Sequence, residues 1–199
     1  MEKYYTFKNN ITNTIIIKKS EFITNLINVT SEDEVAAVLK NIRKKYYDAT
    51  HNCYAYIIGT KSDIKYKASD DGEPSKTAGA PILDCLQKNN LTNCLCIVTR
   101  YFGGIKLGAG GLTRAYSDSA SQAIKLINDL EEIIEKKIIR IQISYDLLTV
   151  VTKAMAPYTL ISKTFEESIT LTYEVPLLFE GDVIKTITNI TNGKAIFPK

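Results

Sequence analysis

The sequence predicts an α+β protein of two domains, and three observations carry that expectation. Strand-like runs alternate with helical stripes along the first two thirds of the chain. An acidic stretch, NDLEEIIE at 128–135, then interrupts them. Beyond it the pattern restarts as a compact β-α-β-β-α-β series, the ferredoxin-like order. The boundary falls near 133–136, giving an N-terminal domain at 1–134 and a C-terminal domain at 135–199. A chain of 199 residues accommodates two such domains.

TIIIK at 14–18 and EFITNLINV at 21–29 read as two strands joined by Lys19-Ser20. Ser31 opens a capping box with Glu34, and Val35, Val38, Leu39, Ile42 and Tyr46 follow at helical spacing. NCYAYII at 52–58 reads as a buried strand and IKYKASD at 64–70 as its neighbour. DDGEPSKTAGAP at 70–81 is too rich in Gly, Pro and Asp for regular structure, so it is expected to be a loop with a function. Pro81 suits the first turn of a short helix, PILDCLQK. LCIVT at 95–99 is a strand that runs into RYFGGIKLGAGGLTRAY at 100–116, which packs five glycines into nine residues. A helix from about Leu112 follows, with Leu112, Ala115, Tyr116, Ala120, Ala123, Ile124 and Ile127 as its apolar stripe.

In the C-terminal domain Ile139, Ile141 and Ile143 alternate with Arg140, Gln142 and Ser144. A helix at 145–158, strands at 160–165 and 169–175, a helix at 178–192 capped by Gly193, and a last strand at 194–197 complete the series. The open sheet face would carry Arg140, Gln142, Thr170, Thr172 and Glu174. With no aromatic there, a base-stacking RNA reader is disfavoured for this domain.

The net charge of +3, from 25 basic and 22 acidic residues, is too small for wholesale nucleic-acid coating. The opening MEKYYTFKNN lacks the apolar core of a signal peptide, and no window approaches the ~18 apolar residues of a membrane span. The expected location is the cytoplasm, with no membrane association. Cys53, Cys85, Cys94 and Cys96 sit in apolar segments and read as reduced, buried thiols; no CxxC pair points to a metal.

Two constellations carry chemistry. The first is the glycine-rich segment, where Arg100, Tyr101, Phe102, Gly103, Gly104, Lys106, Gly108, Gly110, Gly111 and Arg114 form a candidate anion or nucleic-acid site. Bare N–H groups at a helix start attract anions, and two of the chain's four arginines bracket the glycines. Neither GxxxxGK[ST] nor GxGxxG is present, and the alternative is that the glycines serve only turning and packing. The second constellation is His51 with Asp70, Asp71, Glu73 and Ser75. There the lone histidine is either structural or an acid-base group beside carboxylates, which could also hold magnesium or simply form a hydrogen-bonded acidic turn. Cys53 lies on the same strand face as His51, but strand neighbours two apart are ~6 to 7 Å apart at the backbone, too far for a ready nucleophile pair. No catalytic residue, metal or cofactor is assigned.

HNCYAY at 51–56, SDDGEPSKTAGAPIL at 69–83 and RYFGGIKLGAGGLTRAY at 100–116 resemble the YigZ/IMPACT family, over about residues 18–127. The resemblance implies an N-terminal domain like the second domain of the fifth small-subunit ribosomal protein. It also implies a ferredoxin-like C-terminal domain similar to domain V of elongation factor G. By the same resemblance the chain would regulate translation, with RNA, the ribosome or a protein as partner; the eukaryotic members, similar only in this first domain, compete for an activator of a starvation-responsive kinase. Lys76 departs from the family pattern, which has glycine in EPSGTAG. Two readings stay open: a cytoplasmic regulator of translation that binds RNA or the ribosome through the cationic glycine loop, or a small-molecule enzyme, a hydrolase or phosphate-ligand enzyme, that uses the same loop with His51 and Asp70, Asp71 and Glu73.

Overall fold

A computed structural model describes residues 3–198; residues 1, 2 and 199 of the expected domain spans lie outside the described residues. The chain divides into two compact units after Ile133. The first contains β1 (Tyr5–Thr6), β2 (Ile11–Ile17), β3 (Ser20–Asn28), α1 (Glu32–Lys45), β4 (His51–Ile58), β5 (Lys65–Ser69), α2 (Gly79–Lys88), β6 (Cys94–Tyr101), α3 (Gly108–Lys125) and β7 (Glu131–Glu132). Its five-stranded sheet has the order β2-β3-β6-β4-β5, antiparallel throughout.

Both faces of that sheet are covered, which is why NCYAYII and LCIVT are continuously apolar rather than alternating. Phe22, Leu26, Cys53, Ala55, Cys96 and Val98 share one core with α2 and α3, while Tyr54, Tyr56, Leu95 and Ile97 share the other with α1. The start of α1 follows from its cap. Ser31 Oγ accepts from the Glu34 N–H at 3.2 Å, and the Glu34 carboxylate takes the N–H of Thr30 at 2.7 Å, one residue earlier than a standard capping box.

Two local expectations are corrected, and one element is new. The β2–β3 turn is Lys18-Lys19, not Lys19-Ser20: Ile17 pairs with Ser20, and both lysines take positive φ, 46° and 66°. That is the two-residue hairpin geometry usually given to Asn-Gly. The helix expected from Leu112 begins at Gly108. Glycine costs a helix about 1 kcal/mol per residue, but burial of Leu112, Ala115 and Tyr116 outweighs it. The unanticipated β1 pairs with β7, supported by ion pairs Lys3–Glu132 and Lys8–Glu131.

The second unit contains β8 (Lys136–Ile143), α4 (Leu148–Ala154), β9 (Thr159–Phe165), β10 (Ile169–Pro176) and α5 (Glu180–Ile190). Its sheet order is β8-β10-β9. Ile196 adds a single bridge to Gln142 on the outer side of β8, in place of the expected strand at 194–197. The next bonding position would be Pro198, which has no N–H to give. With that bridge the order reads 4-1-3-2, the ferredoxin-like arrangement. The helix expected at 145–158 is a 3-10 turn at Tyr145–Leu147 followed by the shorter α4. At the end of α5 both Asn192, φ 48°, and the expected Gly193, φ 75°, are left-handed, and Gly193 N–H bonds the Thr188 carbonyl at 2.8 Å, so the cap is a two-residue turn that includes Gly193. Arg140 and Gln142 pair across from Thr172 and Thr170 on the open face, while Phe165 pairs with the buried Ile169 and stacks on Tyr145. Among the described residues no helix is long and apolar enough to cross a membrane.

Candidate functional site

Strand register brings the two sequence constellations together. His51 on β4 is the Cα partner of Arg100 on β6, and Phe22 on β3 is its partner on the other side. The segment after β5 folds over these residues and buries Glu73, whose side chain is 3% exposed. Arg100 Nη1 donates to Glu73 Oε1 at 2.6 Å, and the Tyr116 hydroxyl of α3 donates to the same oxygen at 2.8 Å. His51 Nε2 lies 3.8 Å from Glu73 Oε2. The Asp71 carbonyl accepts from His51 Nδ1 at 2.8 Å, so that nitrogen carries the hydrogen. The guanidinium of Arg100 sits between the rings of Phe22 and Phe102, at 5.6 and 5.5 Å from their centroids.

The remaining members of the acidic loop point in different directions. Asp70 accepts from the N–H groups of Lys76, Ala78 and Gly79 at 2.8, 3.0 and 2.9 Å, capping the start of α2. Partial burial would raise its pKa, but these three bonds outweigh burial and hold it below the usual carboxylate value. Asp71 accepts from the Asn52 N–H at 2.7 Å and pairs with Arg43 at 3.3 Å. Ser75 is exposed at the loop's edge. Among the described residues no three His, Cys, Asp or Glu side chains gather as metal ligands. Lys76 adopts φ 63°, the conformation that makes glycine the natural occupant of its position.

Cys53 hydrogen-bonds the Asp70 carbonyl at 2.9 Å and the Tyr116 hydroxyl at 3.4 Å. Burial pushes its thiol up to about 12, so at neutral pH it is no thiolate nucleophile. Burial likewise holds the Tyr116 phenol far above its ordinary value, with Cys53 and Glu73 adding to the effect. The phenol therefore remains a hydrogen-bond donor.

The glycine-rich segment divides into an inner and an outer part. Arg100 is inside and committed to Glu73, while the Tyr101 hydroxyl donates to Asp48 at 2.8 Å. From Phe102 to Gly111 no residue of the segment is buried. Gly103 lies so close to the hairpin turn that a Cβ would fall 2.0 Å from the Lys19 carbonyl carbon, and its N–H donates to Ser20 Oγ at 3.1 Å. Gly104 and Gly108 take positive φ, 86° and 70°. The first turn of α3 has no side-chain cap, which leaves the N–H groups around Gly108, Gly110 and Gly111 for another acceptor. Apart from its chain neighbours and the backbone of its own helix, no atom lies within 4 Å of where a Gly110 Cβ would stand. Lys106 and Arg114 are exposed, and neither forms an ion pair among the described residues; Arg114 Nε reaches back to the Gly110 carbonyl at 3.4 Å.

Residues 18–124, which contain the whole of this arrangement, match the Impact N-terminal domain. The chain belongs to that family. The IMPACT family member YvyE of Bacillus subtilis (strain 168) is 47% identical over 141 residues, 71% of this chain and 63% of that protein, so the match spans less than two thirds of the relative. An IMPACT family member of Haemophilus influenzae is 37% identical over 158 residues, 78% of this chain and 76% of the other. A crystal structure of a hypothetical protein has a TM-score of 0.69 at 27% identity, covering 99% of this chain and 97% of that one.

Within this IMPACT-family domain the sequence did not reveal three contributors. Lys18 and Lys19 enter the neighbourhood of the glycine segment only through the docking of their turn on Gly103. Tyr116 looked like one more apolar stripe residue, yet its hydroxyl reaches Glu73. A tyrosine, rather than a phenylalanine, in a buried stripe was the available signal, since a buried hydroxyl needs a partner.

Proposed function

We propose that this IMPACT-family chain is a cytoplasmic regulator of translation that binds RNA, free or in the ribosome, through phosphate contacts at the outer part of the glycine-rich segment. The observation that carries the reading is the uncapped first turn of α3, rich in glycine and flanked by the unpaired cations Lys106 and Arg114. Backbone N–H groups and the helix dipole favour an anion there, and the two side chains add mobile positive charge. Arg100 supports this surface from beneath rather than presenting a charge. The enzyme reading has less support: Glu73 already accepts from Arg100 and Tyr116, and Asp70 and Asp71 are engaged with backbone N–H groups.

The test is RNA binding by fluorescence anisotropy across a salt series, for the wild type and Lys106→Ala with Arg114→Ala. Two lost phosphate contacts reduce the slope of log K against log salt by about 1 to 2. An unchanged slope at matched stability overturns the site.

A further inference from the structure

The outer segment holds more than cations. Phe102 is 46% exposed, yet its backbone is fixed, with its N–H donating to Thr50 Oγ1 at 3.1 Å and the next residue wedged against Lys19. Its ring lies over the Arg100 guanidinium, which is in turn held by Glu73 and backed by Phe22. One ring face is thereby seated on a buried cation while the ring as a whole remains open to solvent. An aromatic with a locked backbone and a supported face loses little freedom when a second flat group stacks on it. The flanking cations are Lys18 and Lys19, both exposed and both outside any ion pair among the described residues, with Lys106 four residues beyond Phe102; the nearby anions, Asp48 and Glu21, lie beside Tyr101, whose hydroxyl engages Asp48.

We propose that Phe102 is a base-stacking platform and that the ligand of this surface is single-stranded RNA, its backbone tracked by Lys18, Lys19 and Lys106. Cations beside a supported aromatic are the components that single-strand binders use, because every base has a π face and every linkage a charge. A duplex keeps its bases stacked on one another and offers Phe102 none. The inference rests on the RNA-binding reading above and adds to it the strand state of the ligand and the role of one side chain.

The experiment measures binding of a single-stranded RNA, a duplex of the same length and a single-stranded DNA of the same sequence to the full chain. The variants are Phe102→Ala, Phe102→Tyr and the Lys18→Asn/Lys19→Gly pair, each checked for folding by thermal melting. Phe102→Ala weakens single-strand binding by roughly 5- to 150-fold, leaves the duplex unchanged, and is rescued by Phe102→Tyr. The lysine pair weakens every ligand and lowers the salt slope. Equal effects of Phe102→Ala on single strand and duplex, or none on either, overturn the stacking role while leaving phosphate binding standing. No RNA binding by the wild type overturns both, and tighter binding to the DNA overturns the assignment to RNA.

Discussion

The glycine-rich segment and the acidic loop contain two kinds of charge that look alike in sequence and behave differently in the fold. Arg100 and Glu73 form a buried pair with 6% and 3% side-chain exposure, hydrogen-bonded to Tyr116 and covered by Phe22 and Phe102. Lys18, Lys19, Lys106 and Arg114 stand exposed around the same glycines. A buried charge is defined by its partner, and removing the partner leaves an uncompensated ion in a poorly solvated place. An exposed charge contributes little to folding and remains available for a ligand. The lesson is that Arg100, which leads into the glycines from β6, belongs to the fold, while two of the cations at their surface come from a hairpin more than eighty residues upstream.

The largest test of that contrast is Arg100→Ala or Glu73→Ala, each expected to destabilise by about 3–5 kcal/mol in chemical denaturation because the other charge is left buried alone. The double variant Arg100→Met with Glu73→Leu is expected to recover much of the loss. If either single variant costs under ~1 kcal/mol, the pair is not buried as described. Loss of ligand binding in an Arg100 variant is consequently no evidence of phosphate contact until its folding has been measured.

A smaller effect is expected at Asp70, which caps α2 through three N–H groups. Asp70→Ala is expected to cost about 1–2 kcal/mol, the range of a lost N-terminal cap. Its folded pKa lies below the unfolded value of about 4. Its stabilisation is therefore fully present above pH ~4 and lost as pH falls through the folded pKa. Denaturation of wild type and variant between pH 2 and 6 checks this: the gap between them narrows toward the acid end. A constant gap would mean that the carboxylate's charge does not contribute.

Much of this was legible beforehand. Strand and helix positions in the first unit follow from apolar runs and from Ser31, but the meeting of the two constellations does not, because it rests on β4 lying beside β6. What the sequence hides most is long-range register. Nothing near Arg100 in sequence says that Glu73, 27 positions earlier, will close on it. The start of α3 was misplaced because glycines read as loop, although the burial of Leu112 and Tyr116 carries the helix back over them. At Lys76, where the family pattern has glycine, the backbone keeps a glycine-like φ of 63°.

The smallest expected change in stability is also the one that separates the two regions most cleanly. Lys18 and Lys19 hold left-handed backbone conformations that cost an L-residue about 1–2 kcal/mol each. Lys18→Asn with Lys19→Gly gives the hairpin its preferred residues, and part of the gain is offset by the added freedom of glycine in the unfolded chain. The net expectation is a stabilisation of about 1 kcal/mol, measured by urea denaturation with an unchanged m-value. The same pair removes two of the cations beside Phe102, so RNA affinity should fall as stability rises. Opposite signs in one variant are what a strained recognition element predicts. A variant that loses both would make the lysines part of the fold, as Arg100 is, and the division between buried support and exposed recognition would fail at this turn.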